Sequence, residues 1–310
     1  MFFHSQATAI CAMDVVMRHG APGDDIPFPF VLGSSFVGIV HRCSPEAEQL
    51  GITPGTRVAA IVKWGSNAKY ISAAAENLVV VPKQLDAAEI ACLVSTYLPA
   101  FLALHHGRAR PYRYEDTCLQ GRRILVTGGA TLEVQALIRL ARYAGASEIY
   151  VVAPREDFAV LKRLNVAVLN DHPEDWLHIV RNRMNVVVDF KFPKNFSAIC
   201  ESLARHGRLV CCESTSNALD KSWIPDFETL FEHSRLSMMK RATLFDTVEN
   251  VQTHRKDVAQ DLRFLLTLLS TRRIRPHIDR YIKVKDVSKA HQEMQRSALT
   301  GAIVCEPWKE

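Results

Sequence analysis

Residues 123–153, RILVTGGATLEVQALIRLARYAGASEIYVVA, decide the fold. The segment begins with a short β-rich run, Arg123–Thr127, which predicts a strand, and a pair of glycines follows as a turn. Gly145 and Glu148–Ala153 then predict the end of a helix and the start of a second strand. Together they predict a strand–helix–strand unit of a parallel sheet. The residues that recur at the spacing of one buried helix face are Val134, Leu137, Ile138 and Ala141.

The same alternation of strand and helix continues downstream. Strands this apolar are buried on both faces, as in a parallel sheet that helices cover on each side. The sequence therefore predicts an α/β fold with a Rossmann-like, doubly wound parallel sheet. The further predicted strands are Val166–Leu169, Val186–Phe190 and Arg208–Cys212.

The regions on either side of this sheet are predicted to be β-rich. Ala87–Leu104 predicts one or two helices that contain Pro99. After residue 274 the pattern predicts a strand, a short amphipathic helix and a final strand. Short strands separated by Gly, Pro and Ser fill the first hundred residues, and they are Phe30–Leu32, Phe36–Val40, Arg57–Ile61, Tyr70–Ser72 and Leu78–Val81.

Composition excludes several classes of protein. The chain has 310 residues, of which 48% are apolar and 23% charged, a globular composition of about two-domain length. The net charge is only +5, and basic clusters such as Arg272–Arg275 are not interleaved with aromatic residues, so we expect no nucleic-acid partner. Apolar runs such as Phe264–Leu269 are far shorter than the roughly 20 residues of a membrane helix, so no membrane span is expected.

The eight cysteines are predicted to be free thiols. They form no Cys-x-x-Cys motif, which argues against a zinc ribbon, and a chain this long and apolar does not need a disulfide framework. Residues 1–20 lack the basic start and the cleavage site of a secretory signal. We therefore expect a cytoplasmic protein, with an organelle matrix as the alternative.

Several short motifs follow one another in a fixed order along nearly the whole chain. They are Asp14–Gly20 (DVVMRHG), Pro29–Gly33 (PFVLG), Gly38–Val40, Pro54–Val58 (PGTRV), Ala91–Leu104, Ile124–Ala146, Arg275–Asp279 (RPHID), Ala290-His291 and Gly301–Val304. In this order and spacing they resemble the zinc-free quinone oxidoreductase and enoyl reductase branch of the medium-chain dehydrogenase/reductase superfamily.

This resemblance implies a division into domains. A GroES-like β-rich substrate domain would comprise residues 1–97 and 271–310, and a Rossmann-like nucleotide-binding domain residues 98–270. Family members reach the helix at Cys11–Gly20 only after an opening β-hairpin, so the first domain is expected to be N-terminally shortened. Either a protein partner would cover the exposed strand edge, or the start codon is misassigned. The resemblance also implies a homodimer formed by extension of the sheet in the cofactor domain.

The resemblance places the nucleotide-binding turn directly after the first strand of the parallel sheet. The family has glycine at three positions of this turn, where this chain has Gly128, Thr131 and Val134. Gly129 and Ala130 still offer backbone N–H groups to a phosphate. Two interpretations stay open, which are weakened NADPH binding and a scaffold that holds no nucleotide.

Charged residues near the turn bear on the cofactor. Glu133 puts a negative charge at the helix N-terminus, where it would compete with a phosphate. The second strand ends at Ala153 without the acidic residue that an NAD site uses, whereas Arg155 can meet a 2′-phosphate. A bound dinucleotide is therefore expected to be NADPH. The alternative for Arg155 is an ordinary surface arginine.

Other positions depart from the family pattern near the expected nicotinamide and substrate. Zinc-dependent relatives carry His-Glu where this chain has Ser34-Ser35, so no zinc is expected, and the histidines at 105, 106 and 291 are predicted to lie at the surface or at helix ends. The remaining departures are Cys11 for an Asn, Pro99 for a Thr, residues 191–193 for a glycine pair and Glu213 for a glycine.

Tyr97 is the candidate catalytic residue. Its phenol can donate a proton to an enolate as a general acid, and the alternative is a tyrosine packed within a helix. Ser95-Thr96 and Ser214–Ser216 lack the Gly-x-Ser-x-Gly elbow of a serine nucleophile. Cys211-Cys212 is expected to be a pair of buried strand cysteines.

Two functions from different classes follow. The first is an NADPH-dependent, zinc-free reductase that transfers hydride to a quinone or an α,β-unsaturated carbonyl. The second is a non-catalytic pseudo-oxidoreductase that acts as a binding or assembly subunit.

Overall fold

The chain folds into two compact units in the computed structural model, which describes residues 1–20, 29–49, 51–108, 110–191, 194–212, 241–296 and 299–309. The first unit comprises residues 1–99 and 249–310, and the second unit comprises residues 100–248. The predicted division differs from this one at residues 98–99 and, more substantially, at residues 249–270. That segment belongs to the first unit because Val258 and Leu262 line a small cavity together with Ala60 and Leu78.

The strands number thirteen in the described part of the chain. In chain order they are β1 (Phe2–Ala9), β2 (Ser35–Arg42), β3 (Arg57–Ile61), β4 (Tyr70–Ser72), β5 (Leu78–Val80), β6 (Arg123–Thr127), β7 (Glu148–Ala153), β8 (Ala167–Asn170), β9 (Met184–Asp189), β10 (Leu203–Cys212), β11 (Ala242–Phe245), β12 (Ile278–Ile282) and β13 (Ala302–Cys305).

Helices alternate with the strands mainly in the second unit. In chain order they are α1 (Ala12–Arg18), α2 (Pro45–Gln49), α3 (Ala87–Cys92), α4 (Leu98–Leu104), α5 (Arg110–Arg113), α6 (Leu132–Tyr143), α7 (Phe158–Arg163), α8 (Pro173–Val180), α9 (Phe196–Ser202), α10 (Thr247–Thr253), α11 (Arg255–Ser270) and α12 (Val287–Arg296).

The second unit contains the predicted parallel sheet. Its six strands lie in the order β11-β10-β9-β6-β7-β8, and every described pairing is parallel. Ile124, Leu125 and Val126 of β6 are fully buried, as expected for a central strand with both faces covered. The carboxyl ends of β6 and β9 lie side by side, since Thr127 pairs with Asp189. The α/β fold predicted from the sequence is confirmed.

The first unit contains a mostly antiparallel sheet of seven strands. Six of them lie in the order β12-β13-β1-β2-β3-β5, and β4 pairs with β1. Strand β1 was not predicted from the sequence, because two of its inward positions are the polar residues Ser5 and Thr8. It pairs with β2, β4 and β13. That a protein partner covers a shortened domain stays a prediction.

A nearly continuous helical run joins α3 to α4 over Ala87–Leu104. Between them, Leu93–Tyr97 forms a π-helical turn, and Pro99 falls in the first turn of α4, where its missing N–H costs little. By length and hydropathy this run could cross a membrane, but 78% of it is buried inside the protein, as in the core helix of a folded domain.

Candidate functional site

The predicted nucleotide turn joins β6 to α6 in the second unit. Gly128 and Gly129 have φ angles of +115° and +68°, which favour glycine. A Cβ at Gly128 would lie 2.9 Å from Cβ of Phe190 and 3.1 Å from Cγ2 of Val134. Gly128 is therefore needed for close packing of the turn on β9 and α6, which is one of the roles that glycine has in dinucleotide turns.

Asp157 contacts this turn and was missed by sequence analysis. It lies in the short turn of residues 155–157 after β7, is 7% exposed, and its Oδ2 accepts a hydrogen bond of 2.7 Å from the N–H of Ala130. A Cβ at Gly129 would overlap that same oxygen. Gln135 donates to the carbonyl of Ala130 at 2.9 Å, so side chains engage both backbone groups of this residue. The sequence signal that could have identified Asp157 is an acidic residue four positions after Ala153, the last residue of β7.

Thr131 and Val134 have structural roles in α6. Thr131 is the N-cap, and its Oγ1 accepts a hydrogen bond of 3.4 Å from the N–H of Val134. The Val134 side chain is fully buried. Glu133 lies in the first turn of the helix, and burial raises the pKa of its carboxyl group, although hydrogen bonds from its own N–H and from Thr131 oppose the shift. Side chains of the protein thus cap the end of α6 that would face a phosphate.

Thr131→Ala is expected to lower the free energy of unfolding by about 1 kcal/mol, because it removes the N-cap acceptor of α6. Thr131→Ser keeps the acceptor oxygen and is the matched control, with a stability close to that of the unchanged protein. Urea denaturation followed by circular dichroism measures both variants. Equal losses for the two would contradict the capping role.

A second buried carboxylate lies beside the turn. Asp189 is fully buried, and its Oδ1 accepts hydrogen bonds from the hydroxyl of Thr127 and, at 3.0 Å, from the N–H of Lys191. Its Oδ2 has no hydrogen-bond partner in the described part of the chain. Burial raises the pKa of Asp189 to about 6, although the hydrogen bonds from Thr127 and Lys191 lower it. The carboxyl group therefore changes its charge between acidic and neutral pH.

Arg155 and Tyr97 are the two remaining predicted site residues. Arg155 is exposed on the turn that carries Asp157. Tyr97 is buried in the π-helical turn of the first unit, and its hydroxyl donates a hydrogen bond of 3.2 Å to the carbonyl of Arg275. Its role as a general acid stays a prediction, and the phenol would have to leave this carbonyl to donate a proton to a substrate.

Ser34 and Ser35, expected where zinc-dependent relatives carry His-Glu, lie in the first unit among other small or polar side chains. Sγ of Cys11 lies 3.2 Å from Oγ of Ser34, and Ser35 is buried. Nε2 of His291 lies 3.7 Å from Oδ2 of Asp14, with both side chains buried. Among the described residues, no group of three or more His, Cys, Asp and Glu side chains could hold a metal ion.

Two histidines are buried. His105 directly follows the last residue of α4, at a helix end as predicted, whereas His291 lies within α12, which corrects the prediction for that residue. His291 packs beside Asp14, and His105 is 1% exposed in the second unit. Burial, together with the positive charges of Arg208 and Arg113, lowers the pKa of His105 well below its usual value. A neutral imidazole can be buried at this helix end without an ion-pair partner.

The other reactive candidates divide into two groups. Cys211 and Cys212 are buried on β10, and burial raises the pKa of each thiol, so both are poor nucleophiles. Glu213, Ser214–Ser216, Phe192 and Pro193 lie outside the described residues.

A nicotinamide dinucleotide would meet two different environments at this turn. At the adenosine ribose, Asp157 offers a carboxylate next to the backbone of Gly129 and Ala130, which suits the hydroxyl groups of the sugar. At the pyrophosphate, Thr131 caps the N–H of Val134, and the N–H of Glu133 bonds to its own carboxyl group, so the start of α6 has fewer donors for a phosphate. The residues present fit a nicotinamide dinucleotide at the ribose, and they fit its pyrophosphate less well.

Comparison with known proteins identifies two family domains. Residues 3–85 match the alcohol dehydrogenase GroES-like domain, and residues 165–305 match the zinc-binding dehydrogenase domain. Together the two matches span both structural units and most of the chain.

Individual relatives are distant. The chain is 25% identical over 346 aligned positions to a Drosophila melanogaster protein named NAD(P)H oxidoreductase RTN4IP1, mitochondrial, covering 96% of this chain and 77% of that protein. It is 28% identical over 135 residues to the trans-enoyl reductase phm4 of Pyrenochaetopsis sp, covering 41% of this chain and 37% of that protein. The quinone oxidoreductase of Thermus thermophilus shares the fold, with a TM-score of 0.72 and 22% identity over 98% of this chain and 90% of that one.

Proposed function

The chain belongs to the medium-chain dehydrogenase/reductase superfamily, a family of oxidoreductases, and we propose on that basis that it is a zinc-independent reductase that uses a nicotinamide dinucleotide. Its substrate would be a quinone or an α,β-unsaturated carbonyl compound. Support for this class comes from relatives named NAD(P)H oxidoreductase and trans-enoyl reductase. NADPH is the cofactor expected from the sequence, through Arg155.

The observation that carries this proposal is the turn between β6 and α6. Gly128 and Gly129 give it the positive φ angles of a tight glycine turn, at the carboxyl edge of the parallel sheet where such folds bind nucleotides. Asp157 would hold the adenosine end of the cofactor, because the N–H groups of Gly129 and Ala130, expected from the sequence to meet a phosphate, already bond to the carbonyl of Val152 and to Asp157. A bound nicotinamide would supply the hydride, and the protein would bind and orient the two reactants.

A second candidate is a non-catalytic binding or assembly subunit. The specific observation in its favour is that α6 carries Thr131, Glu133 and the buried Val134 in its first turn. The N-cap and the acidic side chain reduce the attraction of this helix end for a pyrophosphate. The cytoplasmic location and the homodimer stay predictions, and the Drosophila relative is mitochondrial by name.

Titration of the purified protein with NADPH and with NADH, by isothermal calorimetry, separates the two candidates. Saturable binding of either dinucleotide at up to about 1 mM is expected for a reductase. The absence of binding to both would remove the reductase proposal. The variant Thr131→Gly/Val134→Gly restores the family's glycines, and binding seen only in that variant would favour the non-catalytic subunit.

A further inference from the structure

We propose that Asp157 makes the nucleotide site selective for NADH over NADPH. The carboxylate would accept a hydrogen bond from the 2′-hydroxyl of the adenosine ribose and would repel the 2′-phosphate that distinguishes NADPH. This inference rests on the proposed function, because it assigns the cofactor of the same turn. NADPH was expected because the end of β7 lacks an acidic residue and is followed by Arg155. Asp157 lies further along the chain and changes that expectation.

The position of the carboxylate is fixed by the fold. Asp157 is the N-cap of α7, yet its side chain makes no capping hydrogen bond to that helix. It extends instead to the N–H of Ala130, at 2.7 Å, and lies where a Cβ of residue 129 would be. Asp157 thereby joins the end of β7 to the turn after β6, and acidic residues near the end of the second strand bind the ribose in NAD-dependent folds of this class.

The second oxygen of Asp157 is the one that a ribose would use. Oδ2 is engaged by Ala130, and no hydrogen bond to Oδ1 is formed within the described part of the chain. A hydroxyl donor satisfies such an oxygen, whereas a phosphate has no proton to share near neutral pH. Because the carboxylate is mostly buried, solvent screens the repulsion of a second anion only weakly.

The neighbouring charges do not reverse this preference. The turn contains one cation, Arg155, and two anions, Glu156 and Asp157. Arg155 is exposed, so it would lose side-chain entropy and hydration on pairing with a 2′-phosphate, and an exposed ion pair contributes little. Glu156 is also exposed and would repel the phosphate weakly. Asp157 is already ordered by its hydrogen bond to the turn. The fixed anion therefore outweighs the mobile cation.

Calorimetric titration with NADH and NADPH tests this inference on the full chain and on two variants. Asp157→Asn removes the charge but keeps an oxygen that can accept from Ala130, and Glu156→Gln makes the same charge change at the adjacent exposed position. The unchanged protein is expected to bind NADH at least about tenfold more tightly than NADPH. Asp157→Asn is expected to lose most of that ratio, and Glu156→Gln to keep it.

The outcomes separate this inference from the proposed function. The role of Asp157 would be overturned if the unchanged protein bound NADPH more tightly than NADH. It would also be overturned if Asp157→Asn kept the same ratio of NADH to NADPH affinity as the unchanged protein. Either result would leave the reductase proposal standing. Binding of neither dinucleotide to any of the three proteins would overturn both. Binding to Asp157→Asn alone would also overturn both, since Asp157 would then exclude all dinucleotides from the native turn. Circular dichroism melting checks that each variant is folded.

Discussion

Gly129→Ala is expected to lower the free energy of unfolding by about 3 kcal/mol, the sum of backbone strain and a steric clash. Gly129 has a φ of +68°, which an alanine adopts only with strain. Its added Cβ would also overlap Oδ2 of Asp157, which is held against the N–H of Ala130. Urea denaturation of the variant, followed by circular dichroism, measures the loss.

Two comparisons separate the strain from the clash. Gly121 has nearly the same φ, +69°, with open space where its Cβ would be, so Gly121→Ala is expected to cost only about 1 kcal/mol. Asp157→Ala removes the obstructing oxygen. In that background, the loss of unfolding free energy caused by Gly129→Ala is expected to be close to that of Gly121→Ala. An undiminished loss in the double variant would show that Asp157 is not what requires glycine at this position.

Asp189→Asn is expected to change the dependence of stability on pH. Burial raises the pKa of Asp189 in the folded protein to about 6, compared with an ordinary value of 3.8. The folded state therefore favours the protonated carboxyl, and its stabilising contribution is complete below pH 4 and is lost as the pH rises through 6. The asparagine never ionises. Relative to the unchanged protein, the variant should gain roughly 3 kcal/mol in free energy of unfolding between pH 4 and pH 8.

Urea denaturation at several pH values measures this difference. The asparagine can also destabilise the protein by an amount that does not depend on pH, for example through an amide group without a partner beside Thr127. Comparing the stability difference at several pH values removes that constant amount. Glu174→Gln, which alters an exposed carboxylate on α8, is the control and should follow the unchanged protein at every pH. A constant difference between Asp189→Asn and the unchanged protein would contradict a raised pKa.

Local patterns predicted the second unit well. The apolar runs Arg123–Thr127 and Glu148–Ala153 coincide with β6 and β7, because strands buried on both faces need apolar residues at every position. Strand β1 was not predicted, because its buried positions are not all apolar. Its inward face contains Ser5 and Thr8, so no alternation of apolar and polar residues marks it.

The candidate site was predictable only in part. Residues 128–131 form one turn, as the motif spacing predicted, because they are adjacent in sequence. Asp157 could not be placed from the sequence, since its contact with Ala130 spans 27 positions and depends on the path of the chain after β7. An acidic residue at a helix N-cap ordinarily binds its own helix, and nothing in the sequence indicates that this one does not.

The pairing of β1 with β13 has a consequence for biosynthesis. Thr8 and Ala9 pair with Cys305 and Val304, so β1 waits for a strand that is synthesised nearly three hundred residues later. The second unit is continuous in sequence and leaves the ribosome before β13 is made. Its nascent sheet can therefore form while the first unit still exposes an unpaired strand edge, the kind of surface that chaperones shield from aggregation.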